Sequence, residues 1–129
     1  DHIGYNYRMP NINAALGCAQ TEQLDNFITN KRETAEKYKT FFESYPDITF
    51  FTEPIICRSN YWLNAIIMKD KESQQEFLQY SNDNGVMTRP IWELMNRLPM
   101  FQDCENDGLA NTQWFADRVI NIPSSVRNN

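Results

Sequence analysis

Two short segments concentrate groups that can hold an anion. In "GYNYRMP", Tyr5, Asn6, Tyr7 and Arg8 crowd together just ahead of Pro10. A guanidinium presents fixed donors that match phosphate or carboxylate, and an asparagine amide donates to a phosphate oxygen without adding charge. Ahead of a helix N-terminus, such a loop can also borrow backbone N–H donors. The same residues suit a hydrophobic staple with ordinary helix capping. In "VMTRPIW", Thr88, Arg89, Pro90 and Trp92 form the second cluster. Arg89, set between a strand end and a proline, can clamp an anionic ligand with Trp92 as a stacking wall. Taken alone, the segment more readily reads as a surface ion pair beside a buried Trp92.

The groups that make or break bonds are harder to find. Lys31, Lys37, Lys39, Lys69 and Lys71 all sit in charged runs, whereas a Schiff-base lysine needs a desolvated or cation-crowded pocket. The carboxylates fall in helical faces and turns such as "ENDG" and "DKES" that read as solvated. The single histidine is His2, so a Ser-His-Asp triad or a histidine metal site has little to build from. Cys18, Cys57 and Cys104 are odd in number and widely spaced, the pattern of reduced thiols rather than of a disulfide framework or zinc site. No glycine-rich phosphate loop occurs among the 4 glycines. As a free-standing catalyst the chain lacks a reacting centre.

The 129 residues are enough for one domain with its own core, and a hydrophobic share of 41% with 13% aromatics belongs to a folded chain. A net charge of −5, with no basic run beyond Lys31-Arg32, argues against nucleic acid as a partner. No apolar run is long enough to cross a bilayer and no signal peptide opens the chain, so a cytoplasmic location away from membranes is expected.

The elements that must position the two clusters follow from periodicity. Ile12, Ala15, Leu16 and Ala19, then Leu24, Phe27, Ile28, Ala35, Tyr38, Phe41, Phe42 and Tyr45, recur at helical spacing and read as core. They predict one long helix or a kinked pair over residues 10–45, with Pro10 in its first turn and a Glu33–Lys37 pairing on its face. Strands are expected at 48–51 and at 60–68, the latter central, then a helix over 71–85 stopped by Gly85. A short strand at 86–90 leads into a compact aromatic turn, a helix at 109–118 and a last strand at 119–123. The order implies an α+β domain with a small, mostly antiparallel sheet and flanking helices. One reading of the chain is a stand-alone regulatory or interaction module whose β-β-α-β-α-β core is a ferredoxin-like sheet. The first nine residues discriminate against it, because such a module has no evident need of Tyr5–Arg8.

The residues also carry a resemblance. "GYNYRMPNINAALGCAQTEQLD", "SNYWLNAI", "GVMTRPIWELMNRLPMF" and "VINIPSS" are similar, in order and spacing, to motifs of the DegT/DnrJ-type sugar aminotransferases, which are fold type I pyridoxal-phosphate enzymes. "TRPIW" followed by "LPMF" resembles the branch that aminates 4-keto sugar nucleotides for surface glycans of the legionaminic-acid type. The resemblance covers essentially the whole chain and places it in the C-terminal small domain, about the last third of a longer enzyme.

It implies that the cofactor lysine and the aspartate facing the pyridinium nitrogen lie in an N-terminal large domain that nothing here matches. Residues 1–9 would be an interface loop and 10–129 the small domain. The chain ends soon after Pro123-Ser124-Ser125, where relatives add a final helix, so a truncated product or an excised domain is expected. In a homodimer, Asn6 would reach the pyridoxal 5'-phosphate phosphate of the neighbouring subunit, with Arg8 close by. Tyr5, Arg89 and Trp92 would contact the nucleotide-sugar substrate, and the amino group would come from glutamate. One departure is Trp62, in a strand where many relatives carry histidine.

Overall fold

The computed structural model describes Gly4 and residues 8–127. Helix α1 (Asn11–Glu22) and helix α2 (Leu24–Phe42) are separated by a break at Gln23, as a kinked pair requires. Pro10 is the N-cap rather than an interior residue, and its carbonyl accepts from Ala14 N–H at 3.0 Å. Strand β1 (Ile48–Phe50) and strand β2 (Asn64–Met68) follow, then helix α3 (Lys71–Asp83) and strand β3 (Arg89–Pro90). Two 3-10 turns, Met95–Arg97 and Pro99–Phe101, precede helix α4 (Ala110–Ala116) and strand β4 (Val119–Ile122).

The strands form one antiparallel sheet in the order β1-β2-β4-β3. The fold is therefore α+β, with β2 in the sheet interior as its apolar run predicts. Along β2, Asn64, Ile66 and Met68 are buried while Ala65 and Ile67 are only partly covered, the alternation of a sheet with one well-packed face. Ile66 lies opposite Ile120, and both are 0% exposed. Ala35 and Phe42 of α2, with Phe50, Met68 and Ile122, complete this core, and Phe77 and Leu78 of α3 close over it.

Local chemistry sets the ends of α3. The Asp70 carboxylate accepts from Ser73 N–H at 2.8 Å, which caps the helix and, with the Ser73 side chain, holds the Asp70 pKa below its ordinary value. Gly85, at φ +77°, then turns the chain out of the helix. Gln74 is buried inside α3 because its amide donates to the carbonyls of Ala116 and Val119, both at 2.9 Å. It joins α3 to the start of β4.

Three expectations are corrected. The α1 stripe is not core in this chain: no α1 residue is buried, and Ile12 and Leu16 are exposed, because α2 and α3 already cover the packed face of the sheet. Leu24, Phe41 and Tyr45 of the second stripe are exposed as well. The strand expected at 60–68 begins only at Asn64, since Tyr61 takes φ +46° and breaks the extended backbone. Among the described residues the helical ion pair is Glu36–Lys39 at 3.5 Å rather than Glu33–Lys37.

In urea unfolding of the 129-residue chain, Ile66→Ala is expected to cost about 2–5 kcal/mol. Ile12→Ala should stay within about 0.5 kcal/mol of the parent. An equal loss at Ile12 would show that α1 belongs to the core.

Candidate functional site

The register of the sheet decides what meets at its end. Asn64 pairs with Ile122, so residues 62–63, before β2, face residues 123–125, after β4. On the other side of β4, Arg89 pairs with Asn121 and Pro90 with Ile120. A cleft of about 710 Å³ opens between these segments. Trp62 and Leu63 form one wall and Pro123, Ser124 and Ser125 continue from β4, while Met87, Arg89 and Trp92 stand across the sheet edge.

The second sequence cluster thus lies in one cavity, though not as one unit. Thr88 is buried away from solvent, its hydroxyl 2.6 Å from that of Ser81. That bond fixes the backbone from which Arg89 projects. Arg89 is exposed and donates weakly to Met87 Sδ at 3.4 Å, with no carboxylate partner among the described residues. Trp92 is 70% exposed and Trp62 64% exposed, which corrects the buried-Trp reading of this segment. Pro90 ends the strand after two residues, so β3 is shorter than the expected 86–90. A proline can sit there because β3 is an edge strand and its missing N–H costs no pairing.

The first cluster lies largely outside the described residues: Tyr5, Asn6 and Tyr7 do so entirely. Arg8 is exposed, and Pro10 makes no side-chain cap to α1.

Behind Trp62 stands a polar network that the reading of carboxylates as solvated did not foresee. Glu53 and Arg32 are half-buried and face each other in a two-pronged pair, with N···O distances of 2.6 and 3.0 Å. Arg32 also donates to the Ser59 carbonyl at 2.5 Å, and the Ser59 N–H donates to Glu53. The Arg32 guanidinium lies 5.6 Å from the Tyr61 ring centroid, and the Tyr61 ring stacks on Phe50. The Tyr61 hydroxyl accepts from Glu53 N–H at 3.2 Å. Together these contacts hold Tyr61 in its left-handed conformation and aim the next residue, Trp62, at the cleft. The hydrogen bonds from Arg32 and from Ser59 N–H pull the Glu53 carboxyl down to about 2.

A second apolar groove, about 560 Å³, lies at the opposite end of β2, lined by Tyr45, Ile48, Met68, Phe77 and Tyr80. It gathers no arginine, and its lining lysine, Lys69, is exposed. The cleft at the Arg89 end is the better candidate, because convergent polar groups distinguish a binding site from a packing defect. Among the described residues no cluster of histidine, cysteine or carboxylate could hold a metal ion, and no helix is long and apolar enough to cross a membrane.

This architecture is that of solved sugar aminotransferases. Helicobacter pylori PseC, an aminotransferase involved in the biosynthesis of pseudoaminic acid, superposes with a TM-score of 0.84 at 21% identity, over 100% of this chain and 36% of its own. CalS13, a sugar aminotransferase from Micromonospora echinospora, gives 0.82 at 18% identity, over 98% of this chain and 33% of its own. The chain belongs to the DegT/DnrJ/EryC1/StrS aminotransferase family, which it matches over residues 1–128. GDP-perosamine synthase from Escherichia coli O157:H7 is 37% identical over 125 residues, 96% of this chain and 33% of that protein. The Vibrio cholerae protein of the same name is 32% identical over 128 residues, 96% of this chain and 34% of that protein. The chain thus spans about a third of the length of these relatives.

The network behind Trp62 makes an acid-dependent prediction. A carboxyl whose folded pKa is depressed contributes stability above its unfolded value and loses it as pH falls through the folded one. Glu53→Gln should therefore destabilise the chain most above about pH 5, the gap to the parent closing toward about pH 2. Urea midpoints across that range measure it, and a pH-independent gap would contradict the pairing.

Proposed function

We propose that this chain is the small domain of a nucleotide-sugar aminotransferase. In that enzyme an amino group passes from an amino donor, glutamate by the family resemblance, to a nucleotide-linked keto sugar for cell-surface glycans. The observation that carries the reading is the convergence of Arg89, Trp92, Trp62 and Ser124–Ser125 on one cleft, in a chain matched to the family over residues 1–128. This favours the transferase over the stand-alone regulatory module.

The cleft suits a substrate with an anionic middle and flat or apolar ends. Arg89 offers its guanidinium to a diphosphate, and the exposed indoles of Trp62 and Trp92 offer stacking faces that shed water when covered. The named relatives favour a GDP-linked sugar, and the resemblance to the legionaminic-acid-type branch offers a second sugar class. Both are keto-sugar nucleotides that this cleft would hold by the same groups.

Pyridoxal 5'-phosphate, when bound, supplies the electron sink for amino-group transfer. An asparagine amide and a guanidinium suit its phosphate by type, whereas the lysines of this chain do not suit its covalent attachment. Arg8 with Asn6 would bind the phosphate from a loop reaching the partner subunit of a homodimer, and Tyr5 would lie beside the substrate there. The lysines are committed elsewhere or exposed: Lys31 bonds backbone carbonyls, Lys39 pairs with Glu36 and Lys71 with Asp117, while Lys37 and Lys69 lie on the surface. The attachment lysine would come from a large N-terminal domain, so residues 1–129 alone would be inactive. Residues 10–129 would be the folded small domain and 1–9 its interface loop, in a cytoplasmic enzyme.

The test is a glutamate-dependent transamination assay of the full-length protein on a panel of GDP-, UDP- and dTDP-linked 4-keto sugars. Turnover of one class is expected, with Arg89→Met raising its KM on the order of tenfold or more and leaving the KM for glutamate near the parent value. No turnover of any nucleotide sugar, or an Arg89→Met effect on glutamate alone, would overturn the reading.

A further inference from the structure

Two of the segments that wall the cleft, residues 62–63 and 123–125, are loops rather than strands. Residues 62–63 precede the first paired residue of β2 and residues 123–125 follow the last of β4, so the ladder does not fix their separation. The Asn64 N–H bond to Ser124 Oγ ties them at the sheet end, and polar side chains of α2 hold the rest. Tyr38 donates to the Pro123 carbonyl at 3.0 Å. Asn30 clasps Arg127, donating to its carbonyl at 3.1 Å and accepting from its N–H at 2.9 Å. Lys31 Nζ donates to the Trp62 carbonyl at 3.2 Å and to the Ser124 carbonyl at 2.6 Å. Among the described residues it is the one side chain that bonds both walls.

We infer that Lys31 is a positioning residue, setting the distance between Trp62 and Ser124 and thereby the fit of the cleft to a nucleotide sugar. The inference rests on the functional reading above. A lysine suits the task because its ammonium carries three donors, enough for two carbonyls at once. Partial burial lowers the Lys31 pKa from its ordinary value, as expected for an ammonium that has exchanged some water for those carbonyls. The neighbouring bonds support the same geometry. The Ser124 hydroxyl accepts from Asn64 N–H and donates to the Ile122 carbonyl, both at 2.7 Å, which holds the Ser124 backbone where Lys31 meets it. On the other side, the Arg32–Glu53 pair fixes Ser59 and Tyr61, the latter immediately before Trp62. Lys31 therefore ties Trp62, one step beyond the Asn64–Ser124 link, to the braced Ser124 backbone, and its loss would loosen that separation rather than unfold either segment.

The test compares Lys31→Met, Lys31→Arg and the surface control Lys39→Met in the full-length protein. Lys31→Met is expected to raise KM for the nucleotide sugar on the order of tenfold, with kcat and the KM for the amino donor within about twofold of the parent. Lys31→Arg should recover most of the loss, because a guanidinium can still donate to both carbonyls, and Lys39→Met should change nothing. Amide hydrogen exchange at residues 62–63 and 124–127 should quicken in Lys31→Met alone. An unchanged KM for the nucleotide sugar would overturn the inference. So would both KM values, kcat and thermal stability changing together, as general destabilisation would produce. If the parent protein turns over no nucleotide sugar, the functional reading falls with its part of the inference. The exchange data then judge the clamp alone, and unchanged exchange would sink that too.

Discussion

The pairing of β2 with β4 is the constraint on which the rest of the molecule depends. Its register places Ile66 against Ile120, and those two fully buried side chains seat α2 and α3 on one face of the sheet. The same register brings the chain entering β2 and the chain leaving β4 to a common end. β3 then adds Arg89 beside Asn121. A slip by one residue would turn every β4 side chain to the opposite face and separate the segments that line the cleft. Core and site are thus two consequences of one hydrogen-bonded ladder.

Helix α2 works on both of them. Its apolar side gives Ala35 and Phe42 to the core. Its polar positions Asn30, Lys31, Arg32 and Tyr38 hold backbone groups of the two loops that leave the sheet. Loop backbone outside a ladder needs partners for its carbonyls and N–H groups, and here many of them are side chains of one helix. Positioning the site therefore takes little extra structure. The positive φ of Tyr61 is tolerated because Arg32, Glu53 and Phe50 hold that residue from three sides.

Much of the scaffold was legible in the residues. The stripe through Ala35, Tyr38 and Phe42, the Gly85 stop and the apolar run in "NAIIM" each act over a few neighbours, and the elements formed where that local chemistry put them. Arg89 was legible as an anion-binding candidate from type alone, and Trp92 as its flat companion. Illegible were the contacts between residues far apart in the chain. Lys31 looks like one more charge in "TNKRETAEK", and nothing local says that it meets Trp62 and Ser124. Glu53 looks like a loop carboxylate until Arg32 is seen across from it. The α1 stripe has the right period for a core helix, but periodicity cannot say which surface an apolar face will meet.

The proposed function requires a nucleotide sugar to sit in the cleft at the Arg89 end. The most direct measurement is photolabelling of the full-length protein with a nucleoside-diphosphate sugar carrying a photoreactive group on its base, with the adducts mapped by mass spectrometry. Adducts are predicted on this chain in residues 61–63, 87–92 and 121–125, suppressed by excess unlabelled nucleotide sugar. Competed adducts around Tyr45, Met68 and Tyr80 instead, with the Arg89 segment unlabelled, would contradict it.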